Sequence, residues 1–287
     1  MPGETPKTAL VFAGGGSLGA VQVGMLRELI RFGVSPDFVV GSSVGALNAA
    51  YFAGMPNLKG VEELAEIWRM LRRTDIFPFR IRDVLRLLRR REHLIDPSSL
   101  RREIATHIPY ANLEDAEIPV HVIATNVGGM TIRLSSGPAV DAVLASAAIP
   151  VAFPAVRIGG DDLIDAAVGS NTPIVTAAEL GASRLIVLPT GFGCDLRQPP
   201  RGALAGGLHA VTLLIAHQMV RDLRFLAGKA EIITVPTLCP LAISPYNFSK
   251  SDELIDRAAA NTRTWLEGGG LSRQEIPAAL FAHTHVH

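Results

Sequence analysis

The first fifty residues run through one local pattern twice, and that repetition limits the fold more than any other feature. Residues 9–13 (ALVFA) are an uninterrupted apolar run that ends at Gly14, Gly15 and Gly16. Such a run reads as a strand buried on both faces that enters a tight turn. Val21, Met25, Leu26, Leu29 and Ile30 then recur at helical spacing until Gly33 stops the helix. Residues 38–40 are a second buried strand, and residues 44–53 a helix of small residues ending at Gly54. Strand, turn and helix, followed by the same again, is the rhythm of an α/β sheet. Further strands are expected at 120–127, 131–134, 185–188 and 231–235, with helices at 140–148, 208–227 and 252–266. The predicted fold is α/β: a mainly parallel central sheet flanked by helices. Its core spans residues 8–190, and residues 191–287 pack onto it as an extension. Residues 191–207, with five glycines and two prolines, read as a linker or surface loop.

Composition narrows the classes of function. The 287 residues carry 27 basic and 27 acidic side chains, which lacks the basic excess of a nucleic-acid binder. With 48% hydrophobic and 19% charged residues the chain is not generally disordered. Two cysteines, Cys194 and Cys239, supply neither a disulfide framework nor a cysteine metal centre. Residues 8–26 and 38–58 lack charge, but glycine and polar residues interrupt both, as suits buried strand–helix pairs rather than membrane spans. Lys7 and a five-residue apolar run fall short of a secretory signal, so a soluble, cytoplasmic protein is expected. His283, His285 and His287 alternate as ligands on a strand would, yet at the chain end they read as a frayed tail. No metal and no cofactor are expected.

Three short segments carry the chemistry. Gly14, Gly16 and Gly19 fit Gly-x-Gly-x-x-Gly between a strand and a helix. One reading is a nucleotide site, with pyrophosphate at the helix N-terminus and an acid ending the next strand. Asp37 has about the right spacing but precedes its strand, and Gly41 holds the position that would meet a ribose. The other reading is a turn whose backbone N–H groups stabilise an oxyanion. Gly41, Ser43 and Gly45 form Gly-x-Ser-x-Gly with a strand running in and a helix running out, as a nucleophile elbow requires. Asp165 follows an apolar pair and precedes the small residues Ala166 and Ala167.

In this order the three segments resemble the patatin-like phospholipases, and residues 145–150 (ASAAIP) resemble the stretch that precedes that family's aspartate. The resemblance covers residues 8–190 and implies a three-layer α/β/α fold. It implies a lipid acyl hydrolase of phospholipase A, lysophospholipase or esterase type. Ser43 would be the nucleophile, Asp165 its base, and the N–H groups of Gly14, Gly15 and Gly16 the oxyanion hole. Leu18 stands where the family often carries Arg or Lys, and Ala166 replaces the usual glycine. Burial of Asp165 among Ile164, Ala166, Ala167 and Val168 would raise its pKa and improve it as a base. A Ser–Asp–His triad would need His209 or His217, and the dyad is preferred. A catalytically silent lipid-binding protein is the alternative reading, and a nucleotide-binding protein a third.

Between Trp68 and Arg91 nine arginines face two aspartates, a local charge of +7. Within it Ile81, Val84, Leu85 and Leu88 share a helical face. Residues 79–94, with Arg86, Arg89 and Arg90, are therefore expected to cover the ester site and touch anionic membrane.

Overall fold

Alternate residues of β1 (Lys7–Phe12) bury themselves on opposite faces of the sheet. Leu10 and Phe12 join one apolar cluster, and Ala9 and Val11 join another on the far side. Burial on both sides is why the run carries no polar alternation. The computed structural model describes residues 7–76, 95–191, 194 and 203–281. Within these, β2 (Phe38–Ser42), β3 (Val120–Asn126), β7 (Ala182–Leu188) and β8 (Glu231–Thr234) join β1 in a parallel set ordered β3-β2-β1-β7-β8. β4 (Thr131–Leu134), β5 (Val156–Ile158) and β6 (Asp161–Ile164) add antiparallel pairings on the β3 side.

α1 (Gly19–Arg31), α2 (Val44–Gly54), α3 (Leu58–Met70), α4 (Ser98–His107) and α5 (Ala139–Ser146) contribute to the larger cluster. The other face is covered by α6 (Ile174–Glu179) and α7 (Ala203–Leu226) through Ile174, Ala177, Met219, Val220 and Leu223. α8 (Ser251–Glu267) packs along α1, burying Leu254, Ile255, Ala258 and Leu266. The molecule is a three-layer α/β/α fold with a mostly parallel sheet.

Phe12 pairs with Gly41 on one side and Leu188 on the other, so β1, β2 and β7 end level. The chain leaves β1 towards β2 and later returns to its other flank as β7. Strand order reverses there, and the crevice beyond the carboxyl ends is where open α/β sheets place their ligands.

The structure corrects the loop expected over residues 191–207, because α7 starts at Ala203 and takes in Gly206 and Gly207. Its second half buries Met219, Val220, Leu223 and Leu226, and tertiary packing of this kind overrides the low helix propensity of glycine. No helix among the described residues is long and apolar enough to cross a membrane. The expected cover at residues 79–94, with Arg86, Arg89 and Arg90, lies outside the described residues, as do His283, His285 and His287.

Candidate active site

β2 runs straight into Ser43, whose φ of 53° and ψ of −124° fall where side chains rarely sit. Both flanking glycines are needed for that turn. A Cβ at Gly45 would meet the carbonyl oxygens of Phe12 and Ala13, and one at Gly41 would lie 2.7 Å from Ala46 Cα. The strained turn is pinned from outside: the Ser43 N–H donates to Ser146 Oγ at 2.8 Å, and that hydroxyl in turn donates to the Ile123 carbonyl. Ser42 donates from its buried hydroxyl to the Ser170 carbonyl at 2.8 Å.

The Ser43 hydroxyl donates to Asp165 Oδ2 at 2.7 Å. Asp165 is 2% exposed and begins a short 3₁₀ turn, where its Oδ1 accepts the Ala167 N–H at 2.7 Å. Burial pushes its pKa up to about 6, against the pull of the Ala167 N–H and the Ser43 hydroxyl, which favour the anion. Ala166 is fully buried and packs into the cluster on the far face, so the methyl that replaces a glycine hydrogen has a place in the core.

The glycine turn lies directly beside the serine, since a Cβ on Gly14 would stand 3.2 Å from Ser43 Cβ. Its backbone corrects one expectation. The Gly14 N–H already donates to the Asn171 carbonyl at 2.9 Å, and the Gly14 carbonyl accepts the Thr190 hydroxyl at 2.8 Å. Gly14 therefore anchors the loop instead of offering a free donor. Among the described residues the N–H groups of Gly15 and Gly16 have no such partner. A Cβ on Gly16, whose φ is 57°, would meet the Pro245 carbonyl, which accepts the Ser17 N–H at 2.7 Å.

A buried polar chain supports this loop from below. Trp68 Nε1 donates to Asn48 Oδ1 at 2.8 Å, Asn48 Nδ2 to Gln22 Oε1 at 2.8 Å, and Gln22 Nε2 to the carbonyls of Ala13 and Leu188, both at 2.8 Å. Asn48 also donates to the Gly19 carbonyl at 3.0 Å, so α1, α2 and α3 are tied to the ends of β1 and β7. Above the serine lies a cavity of about 580 Å³, walled mainly by apolar side chains such as Leu47, Leu64, Trp68, Leu100 and Ile104. Tyr246 enters the same cavity, its phenol pushed up to about 12 by burial and by the Asp165 charge.

No described histidine side chain bonds to Ser43 or Asp165. His121 meets Ser135, His107 meets Glu103, and His217 is exposed on α7. Asp37 binds the Thr8 N–H at 2.7 Å, at the amino end of the sheet and opposite the glycine turn, which removes the nucleotide reading's acid. Sequence reading missed Gln22, Asn48, Asn171, Thr190 and Tyr246, whose partners lie far off in the chain. It also gave Cys194 and Cys239 no shared context, yet their sulfurs stand 3.9 Å apart.

A serine and a buried carboxylate thus stand beside a glycine turn at the carboxyl ends of a parallel sheet. Residues 10–178 match the patatin-like phospholipase family, and the chain belongs to that family. It is 26% identical over 186 residues to patatin-like phospholipase domain-containing protein 7 of Rattus norvegicus, covering 64% of this chain and 13% of that one. Lysophospholipase NTE1 of Cryptococcus neoformans is 27% identical over 192 residues, covering 63% of this chain and 11% of that protein. The chain thus spans only a small fraction of these relatives' length. Its fold is similar to that of VipD from Legionella pneumophila, with a TM-score of 0.50 at 13% identity over 93% of this chain and 67% of that one.

Proposed function

We propose that the protein hydrolyses a carboxylic ester of a lipid through an acyl-enzyme on Ser43. One observation carries this reading: the Ser43 hydroxyl donates at 2.7 Å to a buried Asp165 in the wall of a large apolar cavity. Ser43 Oγ attacks the ester carbonyl while its proton passes to Asp165 Oδ2. The N–H groups of Gly15 and Gly16 receive the oxyanion, with Gly14 holding them in place. The ester C–O bond then breaks, and Asp165 gives its proton to the departing alkoxide. Water follows the same course: Asp165 takes its proton, the hydroxide displaces Ser43 from the acyl group, and the serine regains a proton. Membership of a phospholipase family and a lysophospholipase among the relatives support a lipid ester as substrate. Residues 8–190 would supply the dyad, and residues 191–287 would hold the glycine turn through Pro245.

A fluorophosphonate probe and a short soluble ester test this. The parent chain should label and turn over, whereas Ser43→Ala and Asp165→Asn should each lose turnover by about 10³-fold or more. The double variant should add little, because the two act as a unit. His217→Ala should keep its turnover. A folded parent chain that neither labels nor hydrolyses would leave the lipid-binding alternative standing.

A further inference from the structure

Scattered apolar side chains on a surface carry no meaning, but three on this molecule line one cavity, and a fourth lies one helical turn from one of them on α7. Val151 is 60% exposed, Val168 55%, Val211 43% and Leu214 68%. Val151, Val168 and Val211 also line the cavity that holds Ser43, together with Ile215. Residues 211, 214 and 215 of α7 are spaced to share one helix face. The apolar rim and the apolar interior are therefore continuous.

Val151 adds an independent observation. Its φ is 71°, in the left-handed region that a β-branched residue enters only under strain. Neighbouring bonds hold the turn in place: Ile95 N–H to the Ala152 carbonyl at 2.9 Å, and Phe153 N–H to the Ile149 carbonyl at 2.9 Å. The fold thus keeps a strained backbone in order to point a valine at solvent, and such strain gathers at functional positions.

We propose that this rim, formed by Val151, Val168, Val211 and Leu214, docks on a zwitterionic lipid surface and feeds an acyl chain into the cavity. The proposal rests on reading the cavity as the acyl site. Continuity favours lipid as the occupant, because a chain passing from a bilayer across this rim never crosses water. The rim side chains are uncharged, so the attraction is apolar and survives salt. The arginines between residues 80 and 91 would act differently, needing anionic lipid and weakening as salt rises.

The test uses the full chain carrying Ser43→Ala, so that binding is read without turnover. Sedimentation with sucrose-loaded phosphatidylcholine vesicles at high salt should carry this protein down. Adding Val151→Ser or Leu214→Gln should each weaken partitioning by about tenfold, with unchanged melting curves confirming the fold. Val127→Gln, at an exposed valine away from the cavity lining, should leave partitioning unchanged. Absence of vesicle binding, or rim variants that bind like their parent, overturns the proposal. A dimer in solution that Leu214→Gln splits also overturns it, by giving the rim to a second copy. Fluorophosphonate labelling of the parent separates the two readings. Labelling without vesicle binding sinks the docking alone, and vesicle binding without labelling sinks the hydrolase.

Discussion

On the proposed mechanism Asp165 must be ionised to take a proton from Ser43, yet its burial favours the neutral acid. A pKa near 6 places the two demands close to balance at neutral pH. On the proposed mechanism, turnover of a soluble ester should be half-maximal near pH 6 and fall about tenfold per unit below it. A profile flat down to pH 4.5 would exclude Asp165 as the base. Stability runs the other way. The folded chain holds this proton more tightly than the unfolded chain, so the contribution is full below about 3.8 and lost as pH rises through about 6. Asp165→Asn keeps a neutral side chain that can still accept the Ala167 N–H. It should therefore be more stable than the parent at pH 8, by on the order of 2–3 kcal/mol, and gain nothing near pH 4. Thermal melts across that range measure the difference.

Among the secondary-structure elements, the chain Trp68–Asn48–Gln22 decides how firmly three helices hold the strand ends that carry the site. Asn48→Ala leaves the Trp68 N–H and the Gln22 oxygen buried without partners, a loss of about 2–5 kcal/mol. Trp68→Phe strands the Asn48 oxygen and also opens a gap where the indole packs between Gly19 and Phe248. Because both changes break the same bond, their effects should fall short of additive in denaturant melts, and strict additivity would show that the chain does not act as a unit. The network also shows where sequence reading stops. Glycine turns, the apolar runs of β1 and β2, Ser43 and Asp165 were legible, because each is a local pattern set by one turn or one strand. Gln22, Asn48 and Trp68 carry no such mark, since their meaning comes from partners brought together by packing. For the same reason Gly14 looked like an oxyanion donor: its N–H is occupied by Asn171, 157 positions away. The β5–β6 hairpin carries little strand signal, because its strands have only three and four residues. Gly159 and Gly160, at φ 59° and 95°, were the available signal, as paired positive φ values mark a tight hairpin.

For the whole molecule, the question is whether residues 8–190 form a unit that residues 191–287 merely adjoin. The sheet itself argues for a single cooperative body. β8 pairs with β7 from Arg184 to Val187, so ending the chain at residue 190 would expose the edge of a strand otherwise covered on that side. It would also strip α8 from α1, against which it packs so closely that a Cβ on Gly24 would meet the Ile255 carbonyl and lie 2.9 Å from Ala258 Cβ. Glu28, 4% exposed, would lose the two bonds from Arg263 at 3.0 and 3.2 Å and keep a buried charge with fewer partners. The glycine turn would lose the Pro245 carbonyl that holds Ser17, and with it the support next to Gly15 and Gly16. Set against a total stability of about 5–15 kcal/mol, the loss of a sheet edge and of helices from both faces leaves no margin. A chain of residues 1–190 should therefore show no cooperative melt and no fluorophosphonate labelling. Adding residues 191–287 as a separate polypeptide should restore labelling only if the two pieces assemble. If residues 1–190 melt cooperatively and label alone, the extension is dispensable, and the Pro245 contact has no bearing on the glycine turn.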